Sequence, residues 1–110
     1  MSKDFFNTEK DVFKILAHIN ENLLKYVSNE ELIRICKITQ NELERDCRFI
    51  EYEDLVINYK AEWEDDILIG FSCEGLTMEG FKYLKENVHI GKFLGLWSEM
   101  KELITGDLVK

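Results

Sequence analysis

The sequence predicts a mainly helical α+β fold, and three features of the chain lead to this prediction. Two helix-start signals lie close together, at residues 28 and 39. A stretch with apolar side chains at alternate positions follows them, and a second such stretch returns after an acidic turn. Before and after these segments, apolar residues recur at the spacing of an amphipathic helix. The order of these signals predicts helices on both sides of a β-hairpin.

The length and composition of the chain bound the kind of protein. Its 110 residues are enough for a single domain, spanning 1–110, that buries one core. Hydrophobic residues make up 45% of the chain and aromatic residues 12%, which is typical of globular domains. The N-terminus lacks the basic start of a signal peptide, and no apolar run approaches the roughly 18 residues of a membrane span. We therefore expect a cytoplasmic protein that does not enter a membrane.

The cysteines and histidines indicate structural rather than chemical roles. Three cysteines form no CxxC pair, and we expect Cys36, Cys47 and Cys73 to be small, reduced residues of the core. His18 and His89 are isolated from other metal-binding side chains. A partly buried or rim position is therefore the simpler interpretation of His18, and the sequence indicates no metal site.

The first helix is predicted from Asn7 or Thr8 to about Tyr26. Charged residues fall on one side of its helical wheel, and the apolar residues recur on the other. Its apolar stripe consists of Val12, Ile15, Leu16, Ile19 and Leu23. One face of this helix is therefore expected to cover the core.

Two short helices that meet at a tight turn are predicted over about 28–53. Ser28 and Glu31 have the spacing of a capping box, and Thr39 and Glu42 repeat it. In each case apolar residues stand on either side of the box, where a hydrophobic staple requires them. Two helix starts this close together leave room for one short helix, a turn and a second helix, which is the outline of a helix-turn-helix.

The two helices of this pair are predicted over 29–37 and 40–52. In the second of them, Leu43, Cys47 and Ile50 point inward as an i, i+4, i+7 series. The residues that remain for a partner to contact are Asn41, Glu42, Glu44, Arg45, Arg48 and Glu51.

A β-hairpin is predicted over about 55–71. Residues 55–63 alternate between apolar and mostly polar side chains, residues 64–66 are all acidic and suit an exposed turn, and residues 67–71 form the returning strand. Because two strands alone are only marginally stable, their apolar face, with Trp63 at its end, is expected to close over the helices.

C-terminal helices are predicted over about 77–106. Thr77 caps the first of them, Leu76 and Phe81 supply its hydrophobic staple, and a break falls near residues 86–88. The last helix carries an apolar stripe of Ile90, Phe93, Leu94, Trp97, Met100, Leu103 and Ile104. The elements together predict a winged helix-turn-helix with a β-hairpin wing and extra C-terminal helices.

One segment resembles a known family. The run Leu76-Thr77-Met78-Glu79-Gly80-Phe81-Lys82-Tyr83-Leu84 follows the predicted wing. It is similar to the Leu-Thr-x-x-Gly-x-x-Tyr-Leu segment of the YjcQ-like family of small bacterial and phage winged-helix proteins. There, a further helix with a Trp or another aromatic residue completes the chain. The resemblance implies a winged-helix fold and supplies no catalytic or cofactor residue.

The sequence contains no recognisable catalytic or nucleotide-binding motif. Its six glycines never form GxGxxG or GxxxxGK[ST], and neither HExxH nor GxSxG occurs. The carboxylates of residues 62–66 sit on a predicted exposed turn, whereas paired catalytic carboxylates require a cleft. Cys73 has no histidine nearby in the sequence to activate it as a nucleophile. We therefore expect no enzyme activity, no cofactor and no small-molecule substrate.

Specific DNA binding is one hypothesis for a fold of this kind, because a winged helix inserts its third helix into the major groove. Asn and Arg suit adenine and guanine edges, and Lys suits phosphates. The candidate DNA-facing residues are Gln40, Asn41, Arg45, Arg48, Lys37 and Lys60. A net charge of -8 and an acidic wing tip oppose this hypothesis.

A protein-interaction module on the same fold is the hypothesis that we favour. Phe93, Trp97 and Met100 are larger anchors than a terminal helix needs to cover a small core, and aromatic anchors dominate interfaces. Packing onto the first helix is the alternative role for this stripe. If it faces outward, a homodimer is expected. A third option is an enzyme, or an inhibitor whose acidic face binds a basic partner, for example by mimicking nucleic acid.

Overall fold

A computed structural model describes residues 2–22 and 25–87 of the chain. Within these residues the fold is α+β, with four helices and one three-stranded antiparallel sheet. The elements in chain order are α1 (Ser2–Asn22), β1 (Tyr26–Ser28), α2 (Asn29–Cys36), α3 (Gln40–Tyr52), β2 (Lys60–Glu64), β3 (Ile67–Ser72) and α4 (Met78–Glu86). The predicted last helix, from about Ile90, lies outside the described residues.

The core lies where α1 packs against the other three helices and where α2 packs against β1 and β3, and it includes Leu68 and Phe71 of β3. The buried residues of α1 include Val12, Phe13, Ile15, Leu16 and Ile19. On α3, Leu43, Cys47 and Ile50 are buried, which confirms the predicted inward series. Each fully buried large aliphatic or aromatic side chain contributes about 1.5–3 kcal/mol, so the α1 stripe is the largest single stabilising set.

The helix-start signals are confirmed, with one difference in detail. The Thr39 hydroxyl accepts the N–H of Glu42 at 3.1 Å, and the Glu42 carboxylate accepts the N–H of Thr39 at 2.8 Å. Ser28 caps α2 through the N–H of Glu31 at 3.2 Å. The carboxylate of Glu31 does not complete a second box; it lies 2.6 Å from Nε2 of His18. The partner that Glu31 finds instead, His18, lies on α1, and the local spacing of the capping box does not predict it.

Strand β1 is absent from the sequence prediction, which extended the first helix to Tyr26. Helix α1 instead ends at Asn22, whose side-chain amide donates to the carbonyl of His18 at 2.9 Å. Residues Tyr26–Ser28 then pair antiparallel with β3, giving the strand order β1-β3-β2. A three-residue strand has almost no periodic pattern, and only its partner about 45 residues further along the chain makes it a strand.

The hairpin is confirmed, but its first strand is shorter than predicted. Strand β2 begins at Lys60 rather than at Leu55. Leu55 and Val56 are both buried, which a strand with one exposed face does not allow. The segment instead pairs with the chain before α4: Val56 forms a bridge with Leu76, and the N–H of Ile57 donates to the carbonyl of Gly75 at 2.8 Å.

Helix α4 docks on this same segment through the residues of the Leu-Thr-x-x-Gly-x-x-Tyr-Leu run. The Thr77 hydroxyl accepts the N–H of Gly80 at 3.0 Å and donates to the carbonyl of Asp54 at 2.6 Å. A Cβ on Gly80 would lie 2.2 Å from the carbonyl oxygen of Leu55. The Tyr83 hydroxyl donates to the carbonyl of Glu9 on α1 at 3.2 Å. The distinctive residues of this run therefore serve packing.

Candidate interaction surface

Gln40, the first residue of α3, is engaged within the fold. Its side-chain amide donates to the carbonyl of Leu68 at 2.8 Å and to the carboxylate of Glu44 at 2.9 Å. Its carbonyl accepts the amide of Asn29 at 3.1 Å, and the N–H of Leu68 donates to Glu44 at 3.2 Å. The hydrogen bonds that Glu44 accepts from Gln40 and from the N–H of Leu68 lower the pKa of its carboxyl group. Gln40 therefore ties α3 to α2 and to β3, and its polar atoms are not available for a base edge.

Leu68 lies beyond the part of β3 that pairs with β1, because this pairing ends at Gly70. Glu62 and Trp63 are consecutive on β2, but they face Gly70 and Leu68 on β3, so Ile69 is the extra residue. On the other side of β3 no residue of β1 faces Leu68, and both backbone groups of Leu68 bond to side chains of α3 instead.

Arg45 also binds inside the chain. Its Nη2 lies 3.0 Å from Oδ2 of Asp11 on α1 and 2.9 Å from Oδ1 of Asp46. The carboxylates of Asp11 and Asp46 are buried. The guanidinium of Arg45 is therefore bound by two carboxyl groups of the same chain, which removes one of the two arginines that the sequence assigns to a DNA-facing side.

Four of the predicted DNA-facing residues are exposed: Asn41, Arg48, Lys37 and Lys60. Lys37 adopts the left-handed conformation, with φ 57°, at the end of α2. The exposed acidic residues between 40 and 66 are Glu51, Glu53, Asp54, Glu62, Glu64, Asp65 and Asp66, whereas the exposed basic residues of this range are Arg48 and Lys60. The electrostatic balance around α3 and the hairpin is thus negative among the described residues.

The tip of the hairpin is a two-residue turn made of two aspartates. Asp65 and Asp66 both have positive φ values, 52° and 64°. Such values at both central positions are typical of a type I′ turn, for which Asn-Gly is the favoured pair. The chain has a carboxylate at each of these positions instead, and both side chains project into solvent.

Apolar side chains are exposed beside these carboxylates. Tyr26 is 45% exposed, Trp63 46% and Ile67 48%. The hydroxyl of Tyr26 lies over Gly70, where a Cβ would be 2.4 Å from it, and donates to Glu62 at 3.3 Å. Trp63 was expected to close over the helices, but β2 extends beyond them. We call Tyr26 together with residues 62–67 the hairpin surface.

A groove of about 570 Å³ lies between α1, α3 and α4. Its apolar floor is formed by Phe49, Leu55 and Tyr83. Its polar lining consists of Thr8, Glu9, Glu53, Glu79, Lys82 and Glu86. The sequence analysis does not predict this groove, because its lining comes from α1, from the end of α3 and the residues that follow it, and from α4, which are far apart along the chain.

The remaining sequence expectations concern reactive and interface residues. Cys36, Cys47 and Cys73 are buried and free, and burial raises the pKa of Cys36 and of Cys47 to about 12, so these thiols stay protonated.

In residues 2–22 and 25–87, no group of His, Cys, Asp and Glu side chains could hold a metal ion. No helix in these ranges has both the length and the apolar content that a bilayer crossing requires. The predicted interface residues Phe93, Trp97 and Met100 lie outside the described residues.

Comparison of the chain with protein-family models, with curated proteins and with solved structures gives no match.

Proposed function

We propose that this chain is a winged-helix protein-interaction module whose hairpin surface binds a positively charged, extended segment of a partner protein. The element order α1-β1-α2-α3-β2-β3, with the strand order β1-β3-β2, supports the winged-helix part of the proposal. The segment from Leu76 to Leu84 supports membership of the YjcQ-like family of bacterial and phage proteins. We keep the expectation of a cytoplasmic protein as part of this proposal.

The observation that carries the proposal is the composition of the hairpin surface. Acidic side chains at 62, 64, 65 and 66 neighbour the exposed Trp63 and Ile67 along the hairpin, with Glu62 and Glu64 on one face of β2 and Trp63 on the other. A single exposed ion pair contributes only about 0–1 kcal/mol, so charge alone gives weak and salt-sensitive binding. A half-exposed Trp supplies the apolar contact that interfaces use as an anchor. Together these groups favour a partner with lysines or arginines next to an apolar side chain.

The edge of the sheet adds a geometric reason for an extended partner. Strand β2 pairs with β3 on one side, and within the described residues no strand pairs with its other side. An exposed edge presents backbone N–H and C=O groups to which an extended segment can add as another strand. Alternate side chains of an added strand point to the same face, so lysines at alternate positions would align with Glu62 and Glu64.

DNA binding by a transcriptional regulator domain is the second candidate function. It is favoured by the exposure of Asn41, Arg48, Lys37 and Lys60. The internal contacts of Gln40 and Arg45, and the acidic hairpin tip, weigh against it. Affinity for a duplex depends on cations that replace phosphate counterions, and in the described range 40–66 the exposed cations are Arg48 and Lys60.

The test compares two probes on the whole chain: a fluorescent peptide of alternating lysine and leucine residues, and a random-sequence DNA duplex, both at low salt. We expect salt-sensitive binding of the peptide, with shifts of the backbone amide NMR signals of residues 60–67, and no binding of the duplex. A hairpin-neutral variant, Glu62→Gln, Glu64→Gln, Asp65→Asn and Asp66→Asn, should lose most of the peptide affinity. The charge-matched control, Glu21→Gln, Glu53→Gln, Glu79→Gln and Glu86→Gln, removes four exposed carboxylates outside the hairpin and should bind as the unchanged protein does.

Equal peptide affinity of the two variant proteins would refute the proposal. Duplex binding that is lost on Arg48→Ala or Lys60→Ala would instead establish the second candidate function. Self-association through Phe93, Trp97 and Met100 is a separate part of the proposal, and sedimentation at tens of micromolar tests it. A monomer at that concentration would exclude the homodimer and leave the hairpin surface untouched.

A further inference from the structure

Two carboxyl groups are buried side by side between α1 and α3. Asp11 is 2% exposed and Asp46 is 0% exposed. One nitrogen of Arg45, Nη2, lies 3.0 Å from Oδ2 of Asp11 and 2.9 Å from Oδ1 of Asp46, which places the two carboxyl groups next to each other. Of the two, Asp46 lies at a position that the sequence pattern assigns to neither the inward series nor the outward-facing set of α3. The proposed binding surface does not include either residue.

One guanidinium serves both carboxyl groups. Arg45 Nε lies 3.0 Å from Oδ1 of Asp46, and Nη2 of the same side chain lies 3.0 Å from Oδ2 of Asp11. The second oxygen of Asp46, Oδ2, receives no hydrogen bond from any described group. Two buried anions would thus share one cation and leave one oxygen unsatisfied. A buried charge without its own partner is costly, and a carboxyl group relieves that cost by taking up a proton.

The surroundings of the pair include groups of both signs. Taken over the elements that pack around it, the titratable and charged groups are Glu9, Lys10 and Lys14 of α1, Cys36 of α2, Glu42, Arg45 and Cys47 of α3, and Tyr83 of α4. Burial is the main cause that raises the pKa of Asp11 and that raises the pKa of Asp46 to about 8. The attraction of Lys10 and Arg45 for Asp11 is too weak to reverse this direction. Burial also raises the pKa values of Cys36, Cys47 and Tyr83, so these groups are neutral near pH 7.

We propose that Asp11 and Asp46 form a carboxyl pair between α1 and α3 that holds one shared proton at neutral pH. When this proton is lost in mildly alkaline solution, the packing of α1 against α3 weakens. With the proton bound, one carboxyl donates to the other, and Arg45 balances the single remaining negative charge. Without it, the two anions repel each other across the interface between α1 and α3.

The direction of the pH dependence follows from proton linkage. In the unfolded chain, Asp46 returns to its ordinary pKa of 3.8, whereas in the folded chain the pKa is about 8. The folded state therefore binds the proton more tightly, and its advantage from this group is complete below the unfolded value. As pH rises between the two values the stability decreases, by up to about tenfold in the folding equilibrium constant for each pH unit. Above the folded value this dependence ends.

The test is urea unfolding from pH 5 to pH 9 of the unchanged protein and of Asp46→Asn. The asparagine amide imitates the protonated carboxyl, because it donates to Asp11 and still accepts from Arg45. We expect similar stability of the two proteins near pH 5, and an increasing advantage of Asp46→Asn as pH rises to about 8. Asp66→Asn, at the exposed hairpin tip, is the charge-matched control, and its stability should run parallel to that of the unchanged protein across the pH range. Parallel curves for the unchanged protein and Asp46→Asn would overturn the proposal.

A second measurement decides the matter even if Asp46→Asn fails to fold. Carboxyl carbon NMR of aspartate-labelled protein, with Asp11→Asn used to assign the signals, follows each carboxyl directly. We expect one carboxyl of the pair to remain protonated at pH 7. If both signals titrate fully below pH 5, the two carboxyl groups share no proton at neutral pH and the proposal is wrong.

Discussion

Gly80 provides the sharpest test of how α4 is held, because two physical effects predict opposite outcomes for Gly80→Ala. Alanine is the better helix former by about 1 kcal/mol, so helix propensity alone predicts stabilisation. The contact predicts the reverse: a Cβ at this position would lie 2.2 Å from the carbonyl oxygen of Leu55 and 3.1 Å from Cβ of Leu76. The first distance is far inside van der Waals contact, and the atom it meets belongs to the backbone.

The contact should outweigh the propensity. The carbonyl of Leu55 already accepts the N–H of Thr77 at 3.1 Å, so it cannot turn away without breaking that bond. Overpacking of a tight contact costs about 1–3 kcal/mol. The propensity gain is smaller in the first turn than in a helix interior, which leaves a net loss of about 1–2 kcal/mol.

Urea unfolding followed by circular dichroism measures this loss. With a denaturant slope of roughly 1–3 kcal/mol per molar urea, the midpoint should fall by about 1 M. Glu79→Ala, one residue earlier on the exposed side of the same turn, is the matched control and should change stability by less than about 0.5 kcal/mol. A Gly80→Ala protein as stable as the unchanged chain would refute the reasoning, since the close approach of α4 to residue 55 would then not constrain this position.

Three further outcomes follow from other contacts. Gln40→Ala should lower the free energy of unfolding by about 1–2 kcal/mol, because it leaves the Leu68 carbonyl without its side-chain donor. Asn41→Ala, at the exposed neighbouring position, is the control and should lower it by less than about 0.5 kcal/mol. Equal effects of the two substitutions in thermal unfolding would contradict the hydrogen bonds described for Gln40. Tyr83→Phe removes only the hydroxyl that donates to α1 and should lower the unfolding free energy by about 0.5–1.5 kcal/mol, with unchanged helix content. Asp66→Gly places at this positive φ a residue that adopts it without steric cost, so the free energy of unfolding should rise by about 0.5–1 kcal/mol and the melting temperature should rise with it. A decrease in melting temperature would argue against the two-residue turn.

The sequence predicted most of the described elements because their signals are local. A helix cap joins residues three positions apart, so Ser28, Thr39 and Thr77 mark the starts of α2, α3 and α4 wherever those helices pack. The acidic hairpin tip could be read in the same way, and with it the central part of the proposed hairpin surface. Strand β1 could not be predicted from the sequence, because it depends on a distant partner strand. The exposure of Trp63 could not be predicted either, because it depends on how far β2 extends beyond the helices.

What the sequence determined by itself is therefore the order and start of the helices, the position of the hairpin turn and the excess of negative charge. Only the tertiary structure decided which polar side chains remain available to a partner. Arg45 is of a residue type that commonly contacts DNA, and its helical position is that of an exposed residue. Its guanidinium nevertheless binds the carboxyl group of Asp11, 34 positions away along the chain. Gln40 likewise bonds to a backbone carbonyl 28 positions away. A side chain's partner depends on which groups folding brings within about 3 Å of it, and hydrophobic periodicity carries no information about such polar pairs.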